Sequence, residues 1–149
     1  ANDNSPMQVV VSGLKENINN SEKIFSEHGV KRYVKLNVSA AFHSNFMNDA
    51  QRELINVIDK INFKNSNLPI ISNYDSKINS NIESIIFELK NQMANRVRWT
   101  DSIIKLEETD TTQIIEIGPG KVLSGLIARI TKKFDIKSID KIEDLKKFD

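Results

Sequence analysis

The sequence contains no cysteine and only 2 histidines among its 149 residues. Disulfide scaffolds, thiolate zinc sites, iron–sulfur clusters and cysteine nucleophiles are therefore excluded. A catalytic zinc centre would need both histidines together with a carboxylate, and the H-E-x-x-H pattern of such centres is absent. We accordingly expect no metal site. As a separate expectation, we predict no bound cofactor.

An excess of charge of one sign is also lacking, because 21 Lys and Arg residues balance 20 Asp and Glu residues to a net charge of +1. This balance argues against the strongly positive surface that nucleic acid binding requires. The sequence has no run of about 18 apolar residues, so we expect no membrane span.

Residues 1–6 have neither a basic start nor an apolar stretch, and they lack an initiator methionine. They predict no signal peptide, and they suggest a piece that begins inside a longer chain. Together with the absence of cysteine, these features favour a cytoplasmic location. A plastid-type organelle is the alternative, since a cleaved transit segment would leave no trace in these residues.

What the sequence does contain is an alternation of strand and helix patterns, which indicates an α/β fold with a largely parallel sheet. A turn is expected at 4–6, and Ser80 and Thr100 are the candidate caps of two helices. From hydrophobic periodicity we predict strands at 8–13, 32–38, 68–73, 113–117 and 136–139, and helices at 16–28, 47–61, from 82, from 100 and at 121–130, with a charged, frayed helix after them.

His43 is the first candidate for chemistry, because it directly follows a predicted strand and precedes the amphipathic helix at 47–61. Such junctions often hold ligands and catalytic side chains in α/β proteins. The alternative is that His43, next to Phe42, only packs or caps. The G-x-S-x-G turn that usually carries a nucleophilic serine is absent. If His43 is catalytic, its serine must come from outside these residues.

Three further features are consistent with purely structural roles. The turn at 118–121, Gly-Pro-Gly-Lys, could hold an anion on free backbone amides or could be structural only, and it lacks the spacing of a nucleotide phosphate loop. The segment Arg96-Val97-Arg98-Trp99 fits either surface ion pairs or a partner-docking site. His28 lies at the end of a predicted helix, where an imidazole suits the helix dipole, and we expect it to be structural.

Taken in order, these segments resemble the C-terminal half of the malonyl-CoA:acyl-carrier-protein transacylases. The resemblance extends to about Ile130. No single motif is decisive, but the ordered set is specific. The matching segments are NSP and QVVVSG within 4–13, VSAAFHS at 38–44 with Met47, PIISN at 69–73, Gln92, VRW at 97–99 and IEIGPGKVLSGL at 115–126.

The resemblance implies part of an α/β-hydrolase-like acyltransferase core plus part of a ferredoxin-like small subdomain. Residues 1–38 would form the later part of the small subdomain, and residues 39–149 the C-terminal part of the core. It also implies transfer of a malonyl group from malonyl-CoA to the phosphopantetheine thiol of acyl carrier protein in fatty-acid synthesis. The route would be a Ser-His ping-pong mechanism.

The resemblance also assigns roles to individual residues. His43 aligns with the general base, and Gln92 aligns with the residue whose main-chain carbonyl orients that imidazole. Phe42 resembles the malonyl-selective form of the motif, in which a ring crowds an α-methyl branch at a cost of about 1–3 kcal/mol. Asn4 aligns near the active site, as a second substrate-binding candidate.

The nucleophilic serine, the oxyanion segment and the arginine that pairs with the malonyl carboxylate all belong to a preceding half that these residues do not contain. We therefore expect the 149 residues to be inactive alone and to require that N-terminal half. The helix at 47–61 should then expose apolar side chains. The alternative is a non-catalytic module that binds carrier protein or a subunit.

Overall fold

The computed structural model describes residues 1–148, in which two strands followed by two helices occur twice and a strand–helix–strand unit comes after them. In chain order the elements are β1 (Asn2–Ser5), β2 (Gln8–Val10), α1 (Lys15–Glu27), α2 (Asn48–Ile58), β3 (Ile70–Ile71), β4 (Ile78–Asn79), α3 (Ile82–Asn91), α4 (Trp99–Glu107), β5 (Gln113–Ile117), α5 (Val122–Ile130) and β6 (Asp135–Ile139), with 3-10 turns at Asn45–Met47 and Ile142–Phe148. The latter turn replaces the frayed helix expected at the C-terminus. None of the helices within residues 1–148 has the length and apolarity needed to cross a bilayer.

The strands form three separate pairs, of which only β5 and β6 run parallel. Helix α5 makes the crossover that a parallel pair needs, whereas β1–β2 and β3–β4 are joined without a helix and pair antiparallel. The expectation of a largely parallel sheet is therefore wrong for residues 1–148. It failed because alternation of helices and strands along the chain does not establish which strands become neighbours.

The core lies between α4, α5 and the β5–β6 pair. Ile103, Ile127 and Phe134 are buried there, and the partly buried side chains around them are Trp99, Leu106, Ile114, Ile130 and Ile136. Strand β1 is attached to the same region, because the amide of Asp3 donates to the carbonyl of Val97 at 2.9 Å. Residues from both sides of the predicted domain boundary at 38 thus touch, and the boundary itself stays a prediction.

Away from this core, the helices are poorly covered. Helix α1 contains no buried residue, and α2 buries only Ile58. As expected for the predicted helix at 47–61, Val57 and Ile61 are 56% and 50% exposed. The chain exposes 10723 Å², whereas a compact monomer of its mass, 17.0 kDa, should expose roughly 7,700 Å². Much apolar surface therefore lacks a covering partner within the described chain.

The strand predicted at 32–38 does not form. Its alternating apolar side chains Val34, Leu36 and Val38 remain 58%, 57% and 61% exposed, and no strand of the described residues pairs with them. A strand is stable only when a neighbouring strand completes its hydrogen bonds. Period-two alternation identified a segment suited to a strand, but the ladder that would make it one is missing from residues 1–148.

Several predicted element ends also differ. The predicted turn at 4–6 lies later, because β1 continues through Ser5. Asn81, not Ser80, caps α3, accepting a hydrogen bond from the amide of Ser84 at 2.8 Å. Thr100 lies inside α4 and donates to the carboxylate of Asp3 at 2.9 Å instead of capping the helix. The helix predicted at 47–61 is shorter, since α2 ends at Ile58.

Candidate functional site

His43 stands in the turn just before the 3-10 turn that leads into α2. Its backbone adopts the left-handed region, with φ of +58°. Few residues other than glycine adopt this conformation, although histidine does so more readily than most. The backbone amide of His43 donates to the carbonyl of Met93 at 3.1 Å. The turn before α2 is thus held directly against the segment that follows α3.

The imidazole of His43 is half-buried and faces two main-chain carbonyls. Its Nδ1 lies 3.0 Å from the carbonyl oxygen of Gln92 and 3.1 Å from that of Asn95. Because a carbonyl oxygen can only accept a hydrogen bond, Nδ1 must carry the proton. In the neutral form of the ring, Nε2 then has a free lone pair, and no residue among 1–148 hydrogen-bonds to it. This is the tautomer that a general base requires.

The two carbonyls are available because α3 ends there. The last carbonyls of a helix have no amide one turn ahead to bind, so they need other partners. Gln92 follows the last residue of α3, Asn91, and its carbonyl binds the imidazole instead. The C-terminal end of α3, where the helix dipole is negative, thus lies next to the ring.

The structure therefore brings together two of the four predicted site residues, His43 and Gln92. Their proposed roles in a reaction stay predictions. The sequence did not predict the contact with the second carbonyl, that of Asn95. The only signal for it is the position of Asn95 just beyond the end of an amphipathic helix. The carbonyl needs no particular side chain, so the residue type carries no information about the contact.

The turn at 92–95 is held in place from two sides. The side-chain amide of Asn95 donates to the carbonyl of Asn91 at 2.7 Å, which ties the turn back to α3. The backbone amide of Ala94 donates to Oε1 of Gln51 at 2.8 Å, which ties the turn to α2. The segment that carries the two carbonyls is thus fixed relative to both helices.

The other two predicted site residues are placed less specifically. Phe42 precedes His43 and is 44% exposed, and its carbonyl accepts a hydrogen bond from the hydroxyl of Ser12 at 2.7 Å. Asn4 lies in β1 at an irregularity in the pairing with β2. Within the described part of the chain, no hydrogen bond joins Asn4 to His43 or Gln92. The substrate-binding roles of Phe42 and Asn4 stay predictions.

The backbone amides just after the glycine turn at 118–121 are occupied by a side chain of this chain. Gly118 and Gly120 adopt positive φ, and the turn lets Glu116 reach the start of α5, where it accepts hydrogen bonds from the amides of Leu123 and Ser124 at 2.9 and 2.7 Å. Burial opposes ionisation, but the hydroxyl and amide of Ser124 and the amide of Leu123 outweigh it and lower the pKa of Glu116. The first amides of α5 are therefore taken by Glu116, and the choice between a structural turn and an anion site at 118–121 stays open.

An acid pair lies one helical turn before Gln92. Glu88 is 2% exposed and accepts a hydrogen bond from the amide of Asp75 at 3.3 Å. Burial and the negative charge of Asp75 raise the pKa of Glu88. Burial acts in the same direction on Asp75, but hydrogen bonds from Lys77 prevail and lower the pKa of Asp75. No pattern in the sequence indicated this pair.

The remaining candidates have local partners. Nε of Arg98 donates to the carboxylate of Asp101 at 2.8 Å, which favours the ion-pair interpretation for that cation. The Nδ1 of His28 contacts the carbonyl of Ile24 at 2.8 Å at the end of α1. In the described range 1–148, no three His, Asp or Glu side chains gather closely enough to hold a metal ion.

Comparison with known proteins gives clear relatives, although no family model matches the chain. It is 37% identical over 145 residues to the malonyl CoA-acyl carrier protein transacylase of Synechocystis sp., a match that covers 97% of this chain and 48% of that protein. It is 38% identical over 133 residues to the transacylase of the same name from Bacillus subtilis, covering 89% of this chain and 42% of that protein. The chain spans about half the length of the curated relatives it matches.

Solved structures give the same result. The crystal structure of a Synechocystis malonyl-CoA:ACP transacylase superposes with a TM-score of 0.91 at 36% identity, over 99% of this chain and 49% of that chain. A malonyl-transacylase in complex with its type II polyketide acyl-carrier protein gives a TM-score of 0.92 at 35% identity, over 97% of this chain and 47% of that chain. The chain therefore has the predicted fold, with an α/β-hydrolase-like core and a ferredoxin-like subdomain each represented in part.

Proposed function

Because this chain is homologous to the C-terminal half of the malonyl CoA-acyl carrier protein transacylases, we propose that it supplies the general base of a malonyl transfer reaction. The observation that carries the proposal is the contact of His43 Nδ1 with the carbonyls of Gln92 and Asn95. The complete protein would transfer malonyl from malonyl-CoA to the phosphopantetheine thiol of acyl carrier protein.

In the first half of the reaction, Nε2 of His43 takes the proton of a serine hydroxyl that lies in the N-terminal half. The serine oxygen attacks the thioester carbonyl, and the carbon–sulfur bond breaks. The sulfur of coenzyme A takes the proton back from Nε2 as it leaves. A malonyl ester of the serine remains.

The second half reverses these steps with a different thiol. The phosphopantetheine thiol gives its proton to Nε2 of His43 and attacks the ester carbonyl. The ester carbon–oxygen bond breaks, and the serine oxygen recovers the proton. Every bond made or broken belongs to the substrates, the serine or Nε2 of His43, so the proposed reaction needs no bound cofactor.

The carbonyls of Gln92 and Asn95 take the place that an aspartate has in a full triad. They fix the tautomer of His43 and stabilise the imidazolium by their dipoles. They carry no net negative charge, so this stabilisation is weaker than that of a carboxylate. The nearby end of α3 adds to it.

For specificity, we propose that the ring of Phe42 borders the malonyl group and disfavours an α-methyl branch, and that Asn4 lies near the bound substrate. Removing a steric restriction of one methyl group changes discrimination by about 10–200-fold. We expect Phe42→Ser to raise the ratio of methylmalonyl to malonyl transfer within that range. Competition between the two coenzyme A esters, followed by mass spectrometry of the carrier protein, measures the ratio.

The N-terminal half is also the partner that we propose for the uncovered apolar faces of α1 and α2. The total exposed surface of the chain exceeds that of a compact monomer of this mass, and the matched relatives are about twice as long as this chain. Fatty-acid synthesis is the pathway we propose, although one matched structure belongs to polyketide synthesis. We propose the cytoplasm as the compartment, since a chain without cysteine forms no disulfide that would require an oxidising compartment.

The test uses a complemented protein, in which this chain follows the N-terminal half of the Bacillus subtilis relative. Mass spectrometry measures malonyl transfer from malonyl-CoA to holo acyl carrier protein. We expect transfer by the complemented protein and none by the 149 residues alone. His43→Asn, which tolerates the same backbone conformation, should lower kcat by about 10²–10⁴-fold.

The matched control is His28→Asn, at the other histidine, which should keep full activity. Equal activity of His43→Asn and the parent protein would refute the role of His43. Transfer by the isolated chain would refute the need for an N-terminal half. Binding of holo carrier protein without any transfer would support the non-catalytic module instead.

A further inference from the structure

Gln51 links α2 to the turn that carries the two carbonyls. It lies in the first turns of α2 and is half-buried, and its Oε1 accepts a hydrogen bond from the backbone amide of Ala94 at 2.8 Å. Ala94 is 9% exposed, so its amide has little access to water. A buried amide needs a partner, and Gln51 provides it.

The position of this contact matters because the turn at 92–95 makes three hydrogen bonds to one residue. The carbonyls of Gln92 and Asn95 accept from the imidazole of His43, and that of Met93 accepts from its backbone amide. Ala94 lies between these groups. A shift of the Ala94 amide would therefore move the carbonyls on both sides of it.

Gln51 also belongs to the same structural unit as His43. Residue 43 leads through the 3-10 turn at 45–47 directly into α2, and Gln51 lies eight positions further along. The imidazole of His43 and the side-chain oxygen of Gln51 thus both bind the turn at 92–95 from the side of α2. From the other side the turn is continuous with α3, where the amide of Gln92 donates to the carbonyl of Glu88 at 3.1 Å.

We propose that Gln51 is a positioning residue, which places the 92–95 turn relative to α2 so that both carbonyls meet Nδ1 of His43. The proposal rests on the proposed function, in which His43 is the base. Gln51 acts through the turn, and it is not expected to touch substrate. Its loss should leave substrate binding intact and disturb the tautomer of His43.

A simple packing role is the competing explanation, and the structure offers a control for it. Asp59, the residue directly after α2, and Lys90 of α3 form an ion pair that joins the same two helices without touching the turn. Asp59→Asn removes a link between α2 and α3 but leaves the Ala94 amide paired. It separates general helix contact from placement of the turn.

The experiment compares four variants of the complemented protein. Gln51→Met keeps the length of the side chain but offers no oxygen, and Gln51→Asn is one methylene too short to reach Ala94. Gln51→Glu retains an acceptor oxygen. Asp59→Asn is the control. The fraction of His43 protonated at Nδ1 is measured from the ¹⁵N shifts of labelled histidine, and kcat and KM for malonyl-CoA are measured by malonyl transfer.

We expect Gln51→Met and Gln51→Asn to lower the Nδ1-protonated fraction and to reduce kcat about tenfold with KM unchanged, since misplacement of a catalytic group acts on the chemical step. Gln51→Glu should keep kcat within about twofold of the parent. Asp59→Asn should change neither quantity. If Gln51→Met alone failed to fold, Gln51→Asn would still give both measurements.

The proposal is overturned if Gln51→Met or Gln51→Asn keeps both the tautomer and kcat, or if Asp59→Asn disturbs the tautomer equally. The tautomer does not depend on turnover. A tautomer change in a protein that shows no malonyl transfer would therefore support the positioning role while refuting the proposed function. Full malonyl transfer with an unchanged tautomer in the Gln51 variants would support the proposed function while refuting the positioning role.

Discussion

Helices α1 and α4 are amphipathic to a similar degree, yet they differ in burial. α1 buries none of its 13 residues, whereas α4 buries Thr100, Ser102 and Ile103. The apolar side chains make the same contrast, since Ile24 of α1 is 57% exposed and Ile103 of α4 is 2% exposed. An amphipathic pattern thus specifies which face of a helix should be covered, but the covering comes from other chain segments.

For α4 those segments are at hand. Helix α5 and strands β5 and β6 supply the side chains that pack with it around Ile127, and strand β1 is joined to it by the hydrogen bond from Thr100 to Asp3. For α1 the described residues offer little, apart from a stacked contact between Phe25 and Tyr33. The apolar face of α4 is covered by other elements of the described chain, whereas that of α1 is not. The N-terminal half that we propose would cover α1.

The largest loss of stability that can test this contrast should come from a cavity in the covered core around α4. Ile127→Ala should destabilise the chain by about 2–5 kcal/mol, because Ile127 is 1% exposed and its neighbours cannot collapse into the space. Ile24→Ala should cost no more than about 0.5 kcal/mol in the isolated chain. Urea unfolding followed by circular dichroism measures both values.

The same pair of variants sharpens the comparison in the complemented protein. There the cost of Ile24→Ala should rise above about 1 kcal/mol, because the side chain is then buried. The cost of Ile127→Ala should stay the same. Equal costs of the two variants in the isolated chain, or an unchanged cost of Ile24→Ala after complementation, would break the contrast between the regions.

A smaller effect is expected at the start of α5, where Glu116 caps the helix. Its pKa is lowered in the folded chain, so its stabilising contribution is present above the ordinary carboxyl range and is lost as the pH falls through the folded value. Glu116→Gln should cost about 1 kcal/mol at pH 7. The difference from the parent should disappear in acid, which melting curves between about pH 3 and pH 7 would show.

The smallest effect concerns the buried carboxyl of Glu88. Its pKa is raised, so the stability that it contributes is complete below the ordinary value near 4.3 and declines as the pH rises through the folded value. Glu88→Gln cannot ionise and should melt about 1 °C above the parent at neutral pH, with no advantage in acid. The control is Glu22→Gln, an exposed acid of α1, which should not change the pH dependence.

The sequence predicted local elements well where their partners are close in the chain. Strand β5 occupies the predicted residues 113–117, and α5 begins one residue later than predicted. The strand expected at 32–38 failed for the opposite reason, since its alternation was correct but a strand also requires a neighbour. Asn81 replaced Ser80 as the cap because both residues can accept from an amide, and backbone geometry decides between them.

The candidate site divides in the same way. The segment around His43 stood out in the sequence, and the resemblance paired it with Gln92, which the structure places at hydrogen-bond distance. The contacts of Asn95 and Gln51 were not predictable, because each joins residues more than 40 positions apart. Asn95 uses only its backbone carbonyl in its contact with the ring, and such a contact leaves no mark on residue type.

The positive φ of His43 has a consequence for how this position can change over time. A substitution by a β-branched residue would meet a steric penalty in the main chain in addition to removing the imidazole. Asparagine, aspartate and glycine fit the backbone, but none of them can shuttle a proton near neutral pH. Under the role that we propose for His43, replacing the histidine by one of these residues would therefore remove base catalysis even though the backbone conformation is kept.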